Sequence, residues 1–229
     1  MSSLITLFAG LNRLGPGNAE SLRWAIGIAG LEKSARVLDA GCGTGADLGI
    51  LAAAIPQGRL VAVDLAAPMI ARVKERFPKV EAHVADMATP PGGPFDMIWS
   101  AGAVYFLGVP KALAAWRSQL KPGGVVAFSD LRARVETLPQ EVVSFWATEG
   151  VTLGSVAQLE AEVIAAGYEI LGTRWVGPAG WASYYGPLES ELDSFEESPE
   201  LVDTLRAEIA LWRTHGVTYG YRIVVAKLK

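Results

Sequence analysis

One cysteine and two histidines are all that 229 residues offer for thiol or soft-metal chemistry. A lone thiol, Cys42, closes no intrachain disulfide and builds no thiolate cage. With only His83 and His215 beside it, no metal site is expected. Positive charge is short as well: 20 Lys and Arg stand against 24 Asp and Glu, a net charge of −4. Nucleic-acid binders usually carry a basic excess, so no such partner is expected. No apolar run reaches the length that would span a bilayer. The opening "MSSLITLFAGLNRLGPG" has a short apolar patch but neither a basic lead nor a small-residue cleavage site, which argues against a signal peptide. The default compartment is the cytoplasm, and the oligomeric state is left open. Internal repeats and low-complexity linkers are missing too.

What is present is core-forming material: 51% of residues are hydrophobic and 19% charged, enough for one large domain. Residues 18–30 read as a helix capped by Asn18. "ARVLDA" (35–40), "RLVAVDL" (59–65), "VEAHVADM" (80–87), "PFDMIWSAG" (94–102) and "VVAFSDL" (125–131) read as strands, the last after a "KPGG" turn. Helices over 45–55, 67–77 and 109–120 separate them. The alternation predicts a doubly wound α/β fold around a mostly parallel sheet. Further on, 139–149 and 155–166 read as helices, and "YEILGTRWV" (168–176) and "YGYRIVVAKL" (219–228) as two more strands. The insert between those strands, with "WASYYGPLE" (181–189) and an acidic helical stretch over 188–215, is too long for a hairpin and reads as a cap. The expected organisation is one domain: a helical lead over 1–34, a core over 35–131 and a carboxy-terminal part with its cap at about 177–218.

The densest chemistry lies in "DAGCGTGA" (39–46). Gly41-x-Gly43-x-x-Ala46 fits the glycine fingerprint of dinucleotide-binding folds. Asp39, two residues before the first glycine, argues otherwise. A pyrophosphate there would meet a carboxylate of like sign. A ligand carrying an ammonium group would gain a charge-assisted hydrogen bond. S-adenosylmethionine has an amino group, a carboxylate and a sulfonium, and no phosphate. Asp64 ends the second strand, where it can accept both ribose hydroxyls, although dinucleotide sites use an acid there too. Asp86 ends the third strand and can accept from an adenine amino group while Met87 covers the base. Each acid alone is a common turn residue; together they mark successive strand ends.

"VLDAGCGTG" (37–45), "VAVDLAAPMI" (61–70), "ADM" (85–87) and "LKPGGVVAFSD" (120–130) resemble the class I S-adenosylmethionine-dependent methyltransferases over roughly residues 35–131. The resemblance implies a Rossmann-like sheet of seven mostly parallel strands with the last antiparallel. It also implies that Asp39, Gly41, Cys42, Gly43 and Gly45 hold the methionine part of the methyl donor. Asp64 and Asp86 would then hold ribose and adenine, Leu65 and Met87 would pack on the base, and Met69 and Ser100 would complete the site. The product would be S-adenosylhomocysteine. "RLGPG" (13–17), "WSAGAVYFLG" (99–108) and "WASYYGPLE" resemble a branch of small bacterial methyltransferases that act on small molecules. Members often carry an acid in the fourth-strand loop where Ala101 stands here, so any acceptor contact through that acid is lost.

The loop from Ser100 to Leu107 should face the sulfonium, with Tyr105 as the catalytic candidate that orients an acceptor. Arg13, Tyr105, Trp181, Tyr184 and Tyr185 are the expected acceptor-pocket residues, the last three as an aromatic wall. Core packing is an equally ordinary fate for that cluster. Cys42 reads as a small filler and His215 as a helix cap. The loop lacks the Asp/Asn-Pro-Pro-aromatic run of amino-methylating nucleic-acid enzymes, and one cysteine argues against the multi-thiol arsenic methyltransferases. Two rival readings stay open: a nicotinamide-dependent oxidoreductase and a non-catalytic module that keeps the cofactor site.

Overall fold

The computed structural model describes residues 3–229. The chain opens with a short apolar helix, α1 (Ser3–Gly10), and then α2 (Ala19–Ala29). Asn18 starts α2 by accepting from the Ser21 N–H at 2.9 Å. Strands and helices then alternate: β1 (Arg36–Ala40), α3 (Leu48–Ala54), β2 (Arg59–Asp64), α4 (Ala67–Arg76), β3 (Glu81–Val84), β4 (Phe95–Ser100), α5 (Val109–Arg117) and β5 (Leu120–Ala133). The second half adds α6 (Gln140–Thr148), α7 (Val156–Ala165), β6 (Tyr168–Trp175), α8 (Pro178–Leu192), α9 (Pro199–His215) and β7 (Tyr219–Leu228).

The seven strands form one sheet in the order β3-β2-β1-β4-β5-β7-β6. β1 pairs in parallel with both β2 and β4, and β7 runs antiparallel to both neighbours. Side chains alternate between two buried faces, as the period of a strand requires. Val37, Ala62, Met97 and Trp99 join one core; Leu38, Val61, Ile98 and Phe128 join the other. The chain leaves β1 towards β2 on one side and returns to β4 on the other. The crevice at that switch point is where ligands bind in open α/β sheets.

Two expectations need correction. "KPGG" is not a free turn: it lies inside β5, where Pro122 lacks an N–H and the register against β4 jumps between Phe95 and Met97. The acidic stretch over 188–215 is not one helix. α8 ends at Leu192, and Ser198 caps α9 by accepting from the Leu201 N–H, with Pro199 in its first turn.

Candidate active site

A cleft of about 610 Å³ opens at the carboxyl ends of β1, β2 and β4. Its lining brings together Asp39, Gly41, Cys42, Gly43, Asp64, Leu65, Met69, Asp86 and Met87, as well as Arg13 and Tyr105. Parallel strands joined by helical crossovers put the residues after each strand on one edge, which is why acids far apart in sequence meet here.

The glycine loop is shaped by close approaches. Gly41 has φ +75°, and a Cβ there would sit 2.5 Å from the Ala103 Cβ. Gly41→Ala is therefore expected to combine backbone strain with a clash and to deform the loop. A Gly41→Ala/Ala103→Gly double variant should recover the space but not the strain. Titration of both with S-adenosylhomocysteine checks this: the single variant should bind least, the double variant partly recovered.

Asp39 is 3% exposed, and no protein group hydrogen-bonds its carboxyl among the described residues. Burial pushes its pKa well above the ordinary carboxylate value; Asp47 and Asp64 add to the rise and Arg13 opposes it. Asp64 accepts from Gly43 N–H and Ala66 N–H, each at 2.9 Å, so it ties the glycine loop to the start of α4. Asp86 accepts from Ala88 N–H at 2.8 Å, and the Trp116 indole fixes the Met87 carbonyl at 2.7 Å. Leu65 is 72% exposed and Phe106 73%, two large apolar groups held in the open on the cleft lining.

Among the described residues Arg13 is the one cation lining the cleft, and it is already ion-paired with Asp47. Asp47 also accepts from the Trp99 indole at 2.8 Å. The Gly15-Pro16-Gly17 turn is pinned to α8: Gly17 N–H donates to Gly180 O at 3.0 Å, and the Ser183 hydroxyl donates to Gly17 O at 2.6 Å. Sequence reasoning missed Asp47, Leu14 and the α1 side chains Leu4, Ile5 and Phe8, all of which line the cleft. The signal for Asp47 was its place two residues after Gly45, at the entry to α3.

Several expected site residues lie elsewhere. Gly45 is outside the lining; a Cβ there would meet Leu48, Val73 and Phe77, so it serves helix packing. Ser100 is fully buried and bridges two strand ends by donating to Ala40 O at 2.8 Å. Trp181, Tyr184 and Tyr185 do not line this cleft; their rings pack in the core beneath the cap. His215 ends α9, 2.7 Å from the Glu141 carboxylate. Burial and the neighbouring Asp39 and Asp64 drive the Cys42 thiol upward, so it stays protonated and cannot serve as a nucleophile. Tyr105 is 48% exposed overall, and partial desolvation of its hydroxyl together with Glu208 pushes it up to about 12, so it is protonated at neutral pH. Among the described residues no cluster of His, Cys, Asp and Glu could hold a metal, and no helix is long and apolar enough to cross a membrane.

Residues 37–124 match the family model described as a methyltransferase domain. A trans-aconitate 2-methyltransferase of Azoarcus sp. (strain BH72) is 32% identical over 140 residues, covering 57% of this chain and 54% of that protein. A malonyl-[acyl-carrier protein] O-methyltransferase of Laribacter hongkongensis is 34% identical over 132 residues, covering 52% and 44%. The chain thus spans about half the length of the curated relatives it matches. A Geobacter sulfurreducens S-adenosylmethionine-dependent methyltransferase, solved with S-adenosylhomocysteine, superimposes with TM-score 0.82 over 100% of this chain and 99% of its own, at 18% identity. The residues around the cleft are thus similar to a methyltransferase domain, and the whole chain shares the fold of the superimposed structure.

Proposed function

We propose that the cleft binds S-adenosylmethionine and that the protein transfers its methyl group to a small-molecule acceptor. The observation that carries this reading is the Asp39 carboxyl, buried, without a protein partner and open to the cleft beside the glycine loop. A buried acid left unpaired is costly, and an ammonium group offsets that cost where a pyrophosphate would raise it. The names of the two relatives support the same chemistry.

The methyl donor enters as a co-substrate with an activated methyl group, so the protein's task is positioning and exclusion of water. Asp39 and the glycine-loop N–H groups would hold the amino-acid end. Asp64 would accept the ribose hydroxyls on lone pairs its backbone donors leave free. Asp86 would take the adenine amino group while Leu65 and Met87 sandwich the ring. Arg13 would exchange Asp47 for the donor carboxylate. Tyr105 and Phe106, with ring centroids 4.1 Å apart, would face the sulfonium. The acidic lining argues against a nucleic-acid acceptor, and a lone buried cysteine fits a protein of the cytoplasm.

The test is transfer of labelled methyl from S-adenosylmethionine over a panel of small amines, alcohols, thiols and carboxylic acids. S-adenosylhomocysteine should accumulate with at least one class; inertness across the panel despite donor binding would favour the non-catalytic reading. Asp64→Ala is expected to weaken donor binding by about 1–3 kcal/mol, the scale for deleting one side of charged hydrogen bonds. Unchanged affinity would refute its role.

A further inference from the structure

With the amino-acid, ribose and adenine parts of the donor assigned to the sheet edge, one side of the cleft is left over. Leu4, Ile5 and Phe8 of α1 and Tyr105, Phe106 and Leu107 of the loop after β4 line it, and none of the six carries a charge. Residues 4, 5 and 8 fall on one helical face, and Leu7 turns the adjoining face into the core. α1 is fixed to the body of the protein: Arg72 of α4 donates to Ala9 O in its last turn and, at 3.1 Å, to the Asn12 side-chain oxygen. The loop is fixed as well. Gly102 N–H donates to the Ser129 hydroxyl at 2.9 Å, Gly108 N–H donates to Val104 O at 2.9 Å, and Val104 is buried. Tyr105, Phe106 and Leu4 are thereby held in the open. Large apolar side chains exposed together along a cleft mark a ligand surface.

Charge narrows the ligand. Among the described residues the charged side chains of the lining are Asp39, Asp47, Asp64, Asp86 and Arg13, and none of them belongs to α1 or to the Tyr105 loop. Arg13 is held by Asp47 and, in the donor complex, by the donor carboxylate. A carboxylate or phosphate acceptor would therefore meet acids and no spare cation. An ammonium acceptor would lie beside the sulfonium, a charge of like sign, and would give up its hydration against apolar side chains. An uncharged apolar body gains there, because it buries its own surface together with that of Leu4 and Phe106.

We propose that the acceptor is a predominantly apolar molecule without carboxylate, phosphate or ammonium groups, its body lying on Leu4, Ile5 and Phe8 of α1 and its nucleophilic atom reaching the donor methyl beside Tyr105 and Phe106. The proposal rests on the methyl-transfer reading and names its acceptor class. A lone pair of the nucleophilic atom forms the new bond to the methyl carbon as the S–CH3 bond breaks. The electrons of that bond stay on sulfur, and the donor leaves as the neutral thioether S-adenosylhomocysteine. A proton carried by the nucleophilic atom passes to water.

A neutral reporter, N-phenyl-1-naphthylamine, brightens in apolar surroundings and provides a test that does not depend on turnover. With S-adenosylhomocysteine present it should bind the wild-type protein saturably. Naphthalene-2-methanol should displace it, while naphthalene-2-carboxylate, naphthalene-2-methylammonium and trans-aconitate should do so at least tenfold more weakly. Leu4→Asp changes an exposed side chain and should weaken the reporter at least tenfold while S-adenosylhomocysteine affinity holds; Leu4→Met should bind both as wild type does. No saturable response, or displacement by a charged competitor as strong as by the alcohol, overturns the proposal without any variant. A reporter affinity undiminished in a folded Leu4→Asp protein overturns it equally. Wild-type protein that takes the reporter but no S-adenosylhomocysteine would defeat the methyl-transfer reading instead.

Discussion

Trp181→Ala is expected to destabilise the protein by about 3–5 kcal/mol, the range for deleting a large aromatic side chain from a packed core. Trp181 is 2% exposed and meets four other rings: Trp212 stacked on its face, Tyr185 and Tyr221 tilted, and Tyr219 edge-on at 6.2 Å. Aromatic pairs contribute about 0.5–1.5 kcal/mol beyond their buried area, so a residue shared by four contacts is a poor one to lose. Gly180, one residue earlier, is the point where α8 grips the Gly15–Gly17 turn, so loosening the helix should also loosen Arg13. Urea denaturation should show a lower midpoint at unchanged slope. A loss below about 1 kcal/mol would mean that the ring stands in an open pocket and not in the core.

Asp39→Asn is expected to act in two opposite directions. The folded protein holds the Asp39 carboxyl protonated to higher pH than the unfolded chain does. Between the unfolded carboxylate pKa of about 3.9 and the raised folded value, the folded state binds more protons, so stability contributed by this group falls as pH rises through that window. Asparagine removes the fall, and the ligand-free melting temperature near neutral pH should rise, by about 2–4 °C for each kcal/mol recovered in a chain of this size. Donor binding should weaken at the same time by about 1.5–3 kcal/mol, roughly 10- to 150-fold, for a lost charge-assisted hydrogen bond. In the wild-type protein a bound ammonium favours the ionised carboxyl, so at any pH below the raised Asp39 pKa binding should release a proton. Affinity should therefore rise with pH through that window and fall once the donor amino group itself deprotonates near about 8. Titrations in two buffers of different ionisation enthalpy measure that proton. Equal heats in both, with Asp39→Asn binding as tightly as wild type, would remove Asp39 from the site.

Much of the cleft was legible because its residues are local to strand ends. Asp39, Asp64 and Asp86 each follow or end an apolar run, and a parallel sheet places such positions on one edge. The aromatic segment of α8 was misplaced although its period was informative. Trp181, Tyr184, Tyr185, Leu188 and Leu192 recur at helical spacing on one face, and all are buried. That spacing marks a core stripe, and only the hydroxyl ends of the tyrosines are left for chemistry. Asp47 and α1 were not legible. The partners of Asp47 are Arg13 and Trp99, distant in sequence, and α1 became part of the lining only by packing against α4. Glu208 was hidden for the same reason: in the sequence it is one acid among many on an acidic helix, and only the docking of α9 on α8 brings it to the Tyr185 hydroxyl.

Calorimetric titration of the wild-type protein with S-adenosylhomocysteine and, in parallel, with NADH tests the central claim most directly. The account predicts saturable one-to-one binding of S-adenosylhomocysteine, weakened in Asp39→Asn, and no heat from NADH. Saturable NADH binding without S-adenosylhomocysteine binding would contradict it and return the glycine loop to its dinucleotide reading.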